Sequence, residues 1–188
     1  MAEGLDIEFN DKNKRIGILI AVLAGVLALS EAAGNNAGQD ALRGTIEASN
    51  TWAFFQAKTI RMTTLNAQAR ALELETIGLE SGPKVDEMKK AIEEWRATAK
   101  RYDSEPDTGE GRKELAARAK QIEAARDDSA AANATFDLSS SALQLGILLA
   151  SASVVTSVLW LVYLGAGLGA IGAVLGVLGV VAPHILGG

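Results

Sequence analysis

The sequence contains no cysteine, only 3 prolines, and few aromatic residues, which make up 5% of the chain. The absence of cysteine excludes disulfides, thiol catalysis and cysteine-ligated metal sites. The formal net charge of -5 gives no basic patch of the kind that binds nucleic acid. We therefore expect no nucleic-acid partner and no cofactor.

Charge is also missing from one long part of the chain. Residues 138–188 contain no Asp, Glu, Lys or Arg, whereas almost all the charged residues lie between 34 and 137, with a small cluster before Ile16. A soluble protein has no reason for such segregation, whereas a charge at the centre of a bilayer is costly. The pattern predicts an all-α membrane protein with membrane lipids around its apolar segments.

Three apolar segments are long enough to cross a bilayer. The first has about 18 residues, which as a helix cover about 27 Å. A cleaved signal peptide is the alternative for this segment, because Lys12, Lys14 and Arg15 precede it. We expect a tight turn at Gly165–Gly167 between the second and third segments. The predicted organisation is a charged N-terminal segment at 1–15, transmembrane helix 1 at 16–33, a long antiparallel, coiled-coil-like extramembrane helical hairpin at 34–137, transmembrane helix 2 at 138–164 and transmembrane helix 3 at 165–188.

The third segment carries small residues at helical spacing. Small faces let helix backbones approach closely and drive association in lipid. This row is a candidate helix-packing or oligomer interface, and packing within one chain and contact between chains both remain open. The row consists of Gly165, Gly169, Gly172, Gly176 and Gly179.

The charged region between the first two spans predicts long helices. Gly34–Gly38 is expected to kink or interrupt the first of them, which then continues from about 41 to 79. A second helix is expected from about Lys84 to Tyr102, then a loop at Ser104–Gly109. The last helix begins near Glu110 and runs into the membrane without a break. One face of the first helix is expected to form its packing seam: Ile46, Ala53, Ala57, Ile60, Ala67, Ala71 and Leu74.

The most distinctive stretch is Ala48–Arg61, which reads ASNTWAFFQAKTIR. Trp52, Phe54 and Phe55 point to more than one side of their helix, so they are candidates for core packing, for an oligomer or partner contact, or for a small-molecule site. The stretch resembles an uncharacterised bacterial membrane protein family, domain of unknown function 4337. Its members have a short N-terminal span, this aromatic segment, a charged helical middle and a hydrophobic C-terminal pair. The resemblance implies the bacterial inner (cytoplasmic) membrane and implies no activity.

Orientation follows from the basic residues beside the first span. Lys12, Lys14 and Arg15 precede it, and only Arg43 lies close on its other side. Because basic residues favour the cytoplasm, we expect a cytoplasmic N-terminus and an extracytoplasmic helical region.

No catalytic pattern emerges from the sequence. The lone histidine, His184, follows Pro183 at the end of the last span, and the acidic residues lie in mixed-charge order. We expect a non-enzymatic scaffold or accessory protein that forms a homo-oligomer and presents its hairpin to protein partners or a larger membrane complex. The alternative is an oligomeric ring that forms a channel or small-solute conduit, lined by Gln144, Ser151 and Thr156.

Overall fold

The computed structural model describes residues 11–182 and contains four helices and no strand within that range. This confirms the predicted all-α class. Residues 1–10 of the predicted N-terminal segment, and His184 at the other end, lie outside the described residues. The helices are α1 (Asp11–Thr76), α2 (Pro83–Asp103), α3 (Arg112–Thr156) and α4 (Trp160–Val181).

Three of the helices, α1, α3 and α4, are long and apolar enough to cross a membrane. Length and composition therefore confirm the prediction of three helices suited to span a bilayer. The chain divides into two compact units. Of the described residues, 11–42 and 126–182 form what we call the apolar unit, and 43–125 form the charged unit.

The predicted interruption at Gly34–Gly38 is wrong, because α1 is helical throughout these residues. Both glycines instead lie where α3 comes close. A Cβ atom added at Gly34 would lie 3.0 Å from the Cβ of Phe136, and one added at Gly38 would lie 3.2 Å from Oδ1 of Asn133. Glycine here removes the side chain that would keep the two helices apart.

The turn predicted at Gly165–Gly167 is also wrong, because both glycines lie inside α4. The chain turns earlier, at residues 157–159, where Ser157 has a positive φ of 59°. The Ser153 hydroxyl donates a hydrogen bond of 3.0 Å to the carbonyl oxygen of Val158 and closes this turn. The second predicted span therefore ends at Thr156 and the third begins at Trp160.

The helices predicted from about Lys84 to Tyr102 and from near Glu110 onward are confirmed to within a few residues. Pro83 occupies the first turn of α2, where the missing N–H costs no hydrogen bond. Val85, Ile92 and Ala99 form the buried face of this helix. α3 then runs without a break from Arg112 to Thr156, as expected for a helix that continues from the charged sequence into the apolar one.

The packing seam predicted for α1 in the charged unit is wrong. Ile46, Ile60 and Leu74 are 55%, 65% and 57% exposed. The buried positions are Ala48, Lys58 and Ala69, on the other side of the helix. Both sides of α1 carry apolar residues at helical spacing. The side that includes Ala48, Lys58 and Ala69 packs because it also carries more large apolar side chains. Half-buried members of that side are Phe55, Met62, Leu65 and Leu72.

Candidate functional site

In the apolar unit, the backbones of α3 and α4 come into contact at Gly146 and Gly165. A Cβ atom added at Gly165 would lie 2.6 Å from the carbonyl oxygen of Gly146, and one added at Gly146 would lie 2.7 Å from that of Gly165. Real Cβ atoms do not approach backbone oxygen this closely, so each position depends on glycine. Two helix backbones meet here with no side chain between them.

The other glycines of the predicted row face the same unit. Gly169 lies against Leu23 of α1, Gly172 against Leu143 of α3, and Gly179 against the Phe136 ring. Gly165, Gly169, Gly172 and Gly179 are buried, and Gly176 is half-buried beside Ser30 and Ser139. The structure thus places the row in contacts within one chain, and its use between chains stays a prediction.

Two buried serine hydroxyls link the three helices of this unit. Ser139 donates a hydrogen bond of 2.7 Å to the carbonyl oxygen of Gly172. Since that uses its only hydrogen, Ser30 is the donor in the 3.1 Å bond between the two hydroxyls. α1, α3 and α4 are therefore joined by one short polar chain in an apolar setting.

The aromatic segment of α1 forms a cluster in the charged unit. The Trp52 and Phe55 rings meet edge to face, with centroids 5.3 Å apart and an interplanar angle of 84°. The Trp52 indole N–H donates a 2.8 Å hydrogen bond to Glu123 of α3. The Arg112 guanidinium lies 5.7 Å from the centroid of the Phe55 ring. Trp52 and Phe55 are thus half-buried contacts between α1 and α3.

Lys58 is the buried cation of this cluster, with a side chain only 7% exposed. Its ammonium lies 5.2 Å from the Phe54 ring centroid and 5.1 Å from that of Tyr102. Glu110 accepts a 3.5 Å hydrogen bond from it. Two ring faces and one carboxylate replace the water that burial removes. Phe54 itself remains 40% exposed.

The connection from α2 to α3 is closed by two carboxylates. Lys113 and Arg112 form ion pairs of 2.9 and 2.8 Å with Asp103. The Lys113 hydrogen bond, reinforced by the one from Arg112, lowers the pKa of Asp103 below its usual range. The Ser104 hydroxyl donates to Glu114 at 2.6 Å and lowers the pKa of that carboxyl as well. These contacts fasten the start of α3 to the end of α2.

The three candidate pore-lining residues are exposed in the apolar unit. Gln144 donates a 3.1 Å hydrogen bond to Glu31 of α1. Thr156 donates back to the carbonyl oxygen of Ala152 at 2.8 Å, within its own helix. The structure brings Gln144 to a polar pocket and does not bring Ser151 or Thr156 there. A conduit lined by the three stays a prediction.

That polar pocket between α1 and α3 was missed at the sequence level. Glu31 and Asp137 both line it, together with Ser140. The available signal was their place in the chain, because Glu31 lies near the end of the first apolar segment and Asp137 immediately precedes the second. Within residues 11–182 no group of three or more His, Cys, Asp or Glu side chains is placed to hold a metal ion.

The side of α1 that faces away from the buried positions carries an exposed apolar row in the charged unit. Its members repeat every seven residues, a spacing that keeps them on one side of a helix. We call this row the exposed stripe: Ile46, Ala53, Ile60, Ala67 and Leu74.

Comparison with known proteins gives one family. No curated protein and no solved structure matches the chain. The family model described as Domain of unknown function (DUF4337) matches residues 12–182, which include all four helices but the first residue of α1. The protein therefore belongs to the DUF4337 family.

Proposed function

We propose that the protein is a non-enzymatic integral membrane scaffold or accessory protein, and that it self-associates through the exposed stripe of α1. One observation carries the proposal: α1 in the charged unit is apolar on two opposite sides, and only one of them is buried. A helix in water that is apolar on both sides has a second surface to cover.

The stripe has the geometry of a helix interface. Large side chains at Ile46, Ile60 and Leu74 alternate with alanines at 53 and 67. A seven-residue repeat is typical of paired helices, and alanine permits a close approach between them. Each of the three large side chains is more than half exposed, so it is available to a partner.

Charges beside the stripe favour a second copy of the chain as that partner. Arg61 and Glu75 each follow a stripe residue, and neither forms an ion pair among the described residues. In an antiparallel pair centred on Ala67, Arg61 of each chain lies two residues from the position opposite Glu75 of the other chain, within reach of its long side chain. Ile60 then faces Leu74, and the two Ala67 residues meet at the centre.

The same proposal includes an antiparallel helical hairpin in the charged unit. Glu73 pairs with Arg96 at 2.6 Å, and Lys58 pairs with Glu110 at 3.5 Å. As residue numbers fall along α1, those of its partners rise, which is the order of an antiparallel arrangement. We place this hairpin outside the bacterial inner membrane, with the N-terminus in the cytoplasm, because Lys14 and Arg15 precede the first apolar segment.

Native mass spectrometry of the detergent-solubilised protein tests the proposal. We expect an oligomer for the wild type, and a monomer for Ile60→Glu and Ala67→Glu, because a carboxylate at the centre of the stripe is desolvated on association. Both positions are exposed, so the change should leave the fold intact. Asn66→Glu is the matched control, since residue 66 is exposed and lies off the stripe.

A monomeric wild-type protein would contradict the proposed self-association. So would oligomers that survive both stripe variants, because association would then depend on another surface. Dissociation by Asn66→Glu as strongly as by Ala67→Glu would point to added charge alone rather than to the stripe.

A further inference from the structure

A polar pocket opens in the apolar unit between α1 and α3, with a volume of about 410 Å³. Its lining has two carboxylates, three hydroxyls, two amides and no basic side chain. The lining residues are Ser30, Glu31, Gly34, Asn35, Asp137, Ser140, Ser141 and Gln144.

The pocket lies where apolar sequence gives way to charged sequence. Glu31 is near the end of the first apolar segment, and Asp137 directly precedes the second. The hydrogen bond between Ser30 and Ser139 brings these two ends together. In a bilayer this level corresponds to the polar headgroups, where both lipid headgroups and dissolved molecules have access.

Hydrogen bonding inside the pocket leaves an excess of acceptors. Ser30 gives its hydrogen to Ser139, and Ser141 gives its own to the backbone oxygen of Asp137 at 2.9 Å. Gln144 donates to one oxygen of Glu31. The Asp137 carboxylate receives no side-chain donor from the described residues. A ligand with several N–H groups would complete this arrangement.

Ser140 is the independent sign that the pocket accommodates a ligand. It is only 8% exposed and lines the pocket, yet its hydroxyl has no hydrogen-bond partner among the described residues. Every fully buried side-chain N or O atom among the described residues has a hydrogen-bond partner. The Ser140 hydroxyl has none, so it is not fully buried and reaches the open pocket. The Ser140 side chain is thus more than nine-tenths buried while its hydroxyl faces the pocket, and a ligand in the pocket would be its hydrogen-bond partner.

We propose that this pocket binds a primary alkylammonium group, held by Glu31 and Asp137 with Ser140 as an oxygen acceptor. The volume corresponds to about a dozen water molecules, which is far more than a bare ion occupies. No third carboxylate or histidine is placed to complete a metal site within residues 11–182. No aromatic residue lines the pocket, so a quaternary ammonium would lack the aromatic faces that usually bind it. The absence of basic side chains excludes an anion.

The ammonium group has two possible sources, a free amine and the ethanolamine headgroup of a lipid. To separate them, the full chain is reconstituted in phosphatidylcholine nanodiscs, and its thermal unfolding midpoint is followed as ethanolamine hydrochloride is added. Tetramethylammonium chloride at the same ionic strength is the control cation, because it has no N–H group. In parallel, native mass spectrometry counts phosphatidylethanolamine and phosphatidylcholine retained from a mixed bilayer.

A rise of the midpoint with ethanolamine alone would support a free amine as ligand. Selective retention of phosphatidylethanolamine, without an effect of free ethanolamine, would support the lipid headgroup. In either case we expect Glu31→Gln and Asp137→Asn each to weaken binding about tenfold, as loss of a charge-assisted hydrogen bond does. Ser140→Ala should weaken it by a smaller factor. Asp127→Asn removes another acid of α3, one that does not line the pocket, and should leave binding unchanged.

The proposal is overturned by equal effects of ethanolamine and tetramethylammonium together with equal retention of the two lipids. It is also overturned when Glu31→Gln and Asp137→Asn bind as the wild type does. Stabilisation by magnesium chloride that exceeds that by ethanolamine, and that both variants abolish, would assign the pocket to a metal ion instead.

Discussion

The two units of this protein hold their helices together in opposite ways. In the apolar unit, helices meet through the absence of side chains, as at Gly146 and Gly165, where backbone lies against backbone. In the charged unit, a few large side chains bridge the helices. Trp52 donates a hydrogen bond to the Glu123 carboxylate of α3, the Phe55 ring meets the Arg112 guanidinium of α3, and Lys58 lies against the Tyr102 ring of α2. The surrounding solvent explains the difference. In lipid the hydrophobic effect does not drive apolar helix surfaces together, so close van der Waals packing must stabilise their association.

Glycine shows the contrast most clearly. In the apolar unit, Gly165 and Gly172 lie inside a helix and permit close contact. In the charged unit, Gly78 and Gly109 lie in connections and have φ values of 83° and 69°, a conformation that favours glycine. The same residue type therefore serves packing in one unit and chain reversal in the other.

The largest expected effect comes from filling the backbone contact. Gly165→Ala should lower the free energy of unfolding by about 2–3 kcal/mol, because the added methyl meets the Gly146 carbonyl and neither backbone can move away cheaply. Reversible unfolding in mixed detergent measures the change. Gly167→Ala is the matched control on the same helix, since nothing lies within 4 Å of a Cβ atom there.

Equal stability of the Gly165→Ala and Gly167→Ala variants would contradict the role of the backbone contact in holding α3 and α4 together. It would mean that α3 and α4 can separate at this contact without loss, and that side chains elsewhere hold the apolar unit together.

An intermediate effect is expected at Lys58. Lys58→Ala should destabilise by about 1–2 kcal/mol, because it removes both the ring contacts of the ammonium and the packing of the aliphatic stem. Lys58→Met keeps the stem and should recover most of that loss. The measurement is the denaturant midpoint of each variant, followed through tryptophan fluorescence.

A methionine variant as unstable as the alanine variant would show that the charge, rather than the packed stem, dominates at this position. In that case the stability of the charged unit would depend on the Lys58 charge more than on side-chain packing.

The smallest effect is a pH dependence at the connection between α2 and α3. Because the folded-state pKa of Asp103 is lowered, its charged form stabilises the native state at neutral pH. This contribution is lost as pH falls through that lowered pKa, when Asp103 takes up a proton. Asp103→Asn should therefore cost about 0.5 kcal/mol near pH 6, as partly exposed ion pairs do, and the difference from the wild type should shrink in acid.

Chemical unfolding of both proteins between pH 6 and pH 3 measures this difference. Asp107→Asn is the control, since residue 107 is exposed in the same connection and forms no ion pair among the described residues. A difference that grows in acid would contradict the assigned cause.

Much of the fold follows from local patterns in the sequence. Segregated charge indicates the helices suited to a membrane, Pro83 marks the start of α2, and the unbroken helix-forming sequence of α3 predicts its length. The two misplaced breaks, at Gly34–Gly38 and at Gly165–Gly167, have one physical origin, because glycine inside a helix resembles a helix breaker in the sequence. Gly34 and Gly165 lie at helix contacts, where tertiary packing outweighs their low helix propensity.

Less of the candidate sites follows from the sequence. The row of small residues on α4 is visible as a pattern, but its partners on α1 and α3 depend on which helices become neighbours. The buried side of α1 was misassigned because apolar residues repeat on both sides, and periodicity alone does not distinguish a core from an exposed stripe. The polar pocket joins Glu31 and Asp137, which are far apart in the chain, so only the folded arrangement reveals it.

The most direct test of the exposed stripe uses the absence of native cysteine. Single cysteines at positions 60, 67 and 74 are introduced in separate chains, and disulfide formation in native membranes is followed under mild oxidation. An antiparallel pair predicts that Ala67→Cys crosslinks with itself, that Ile60→Cys alone does not, and that Ile60→Cys crosslinks when it is mixed with Leu74→Cys. Crosslinking of none of these chains would contradict the proposed association, and self-crosslinking of all three would replace the antiparallel arrangement with a parallel one.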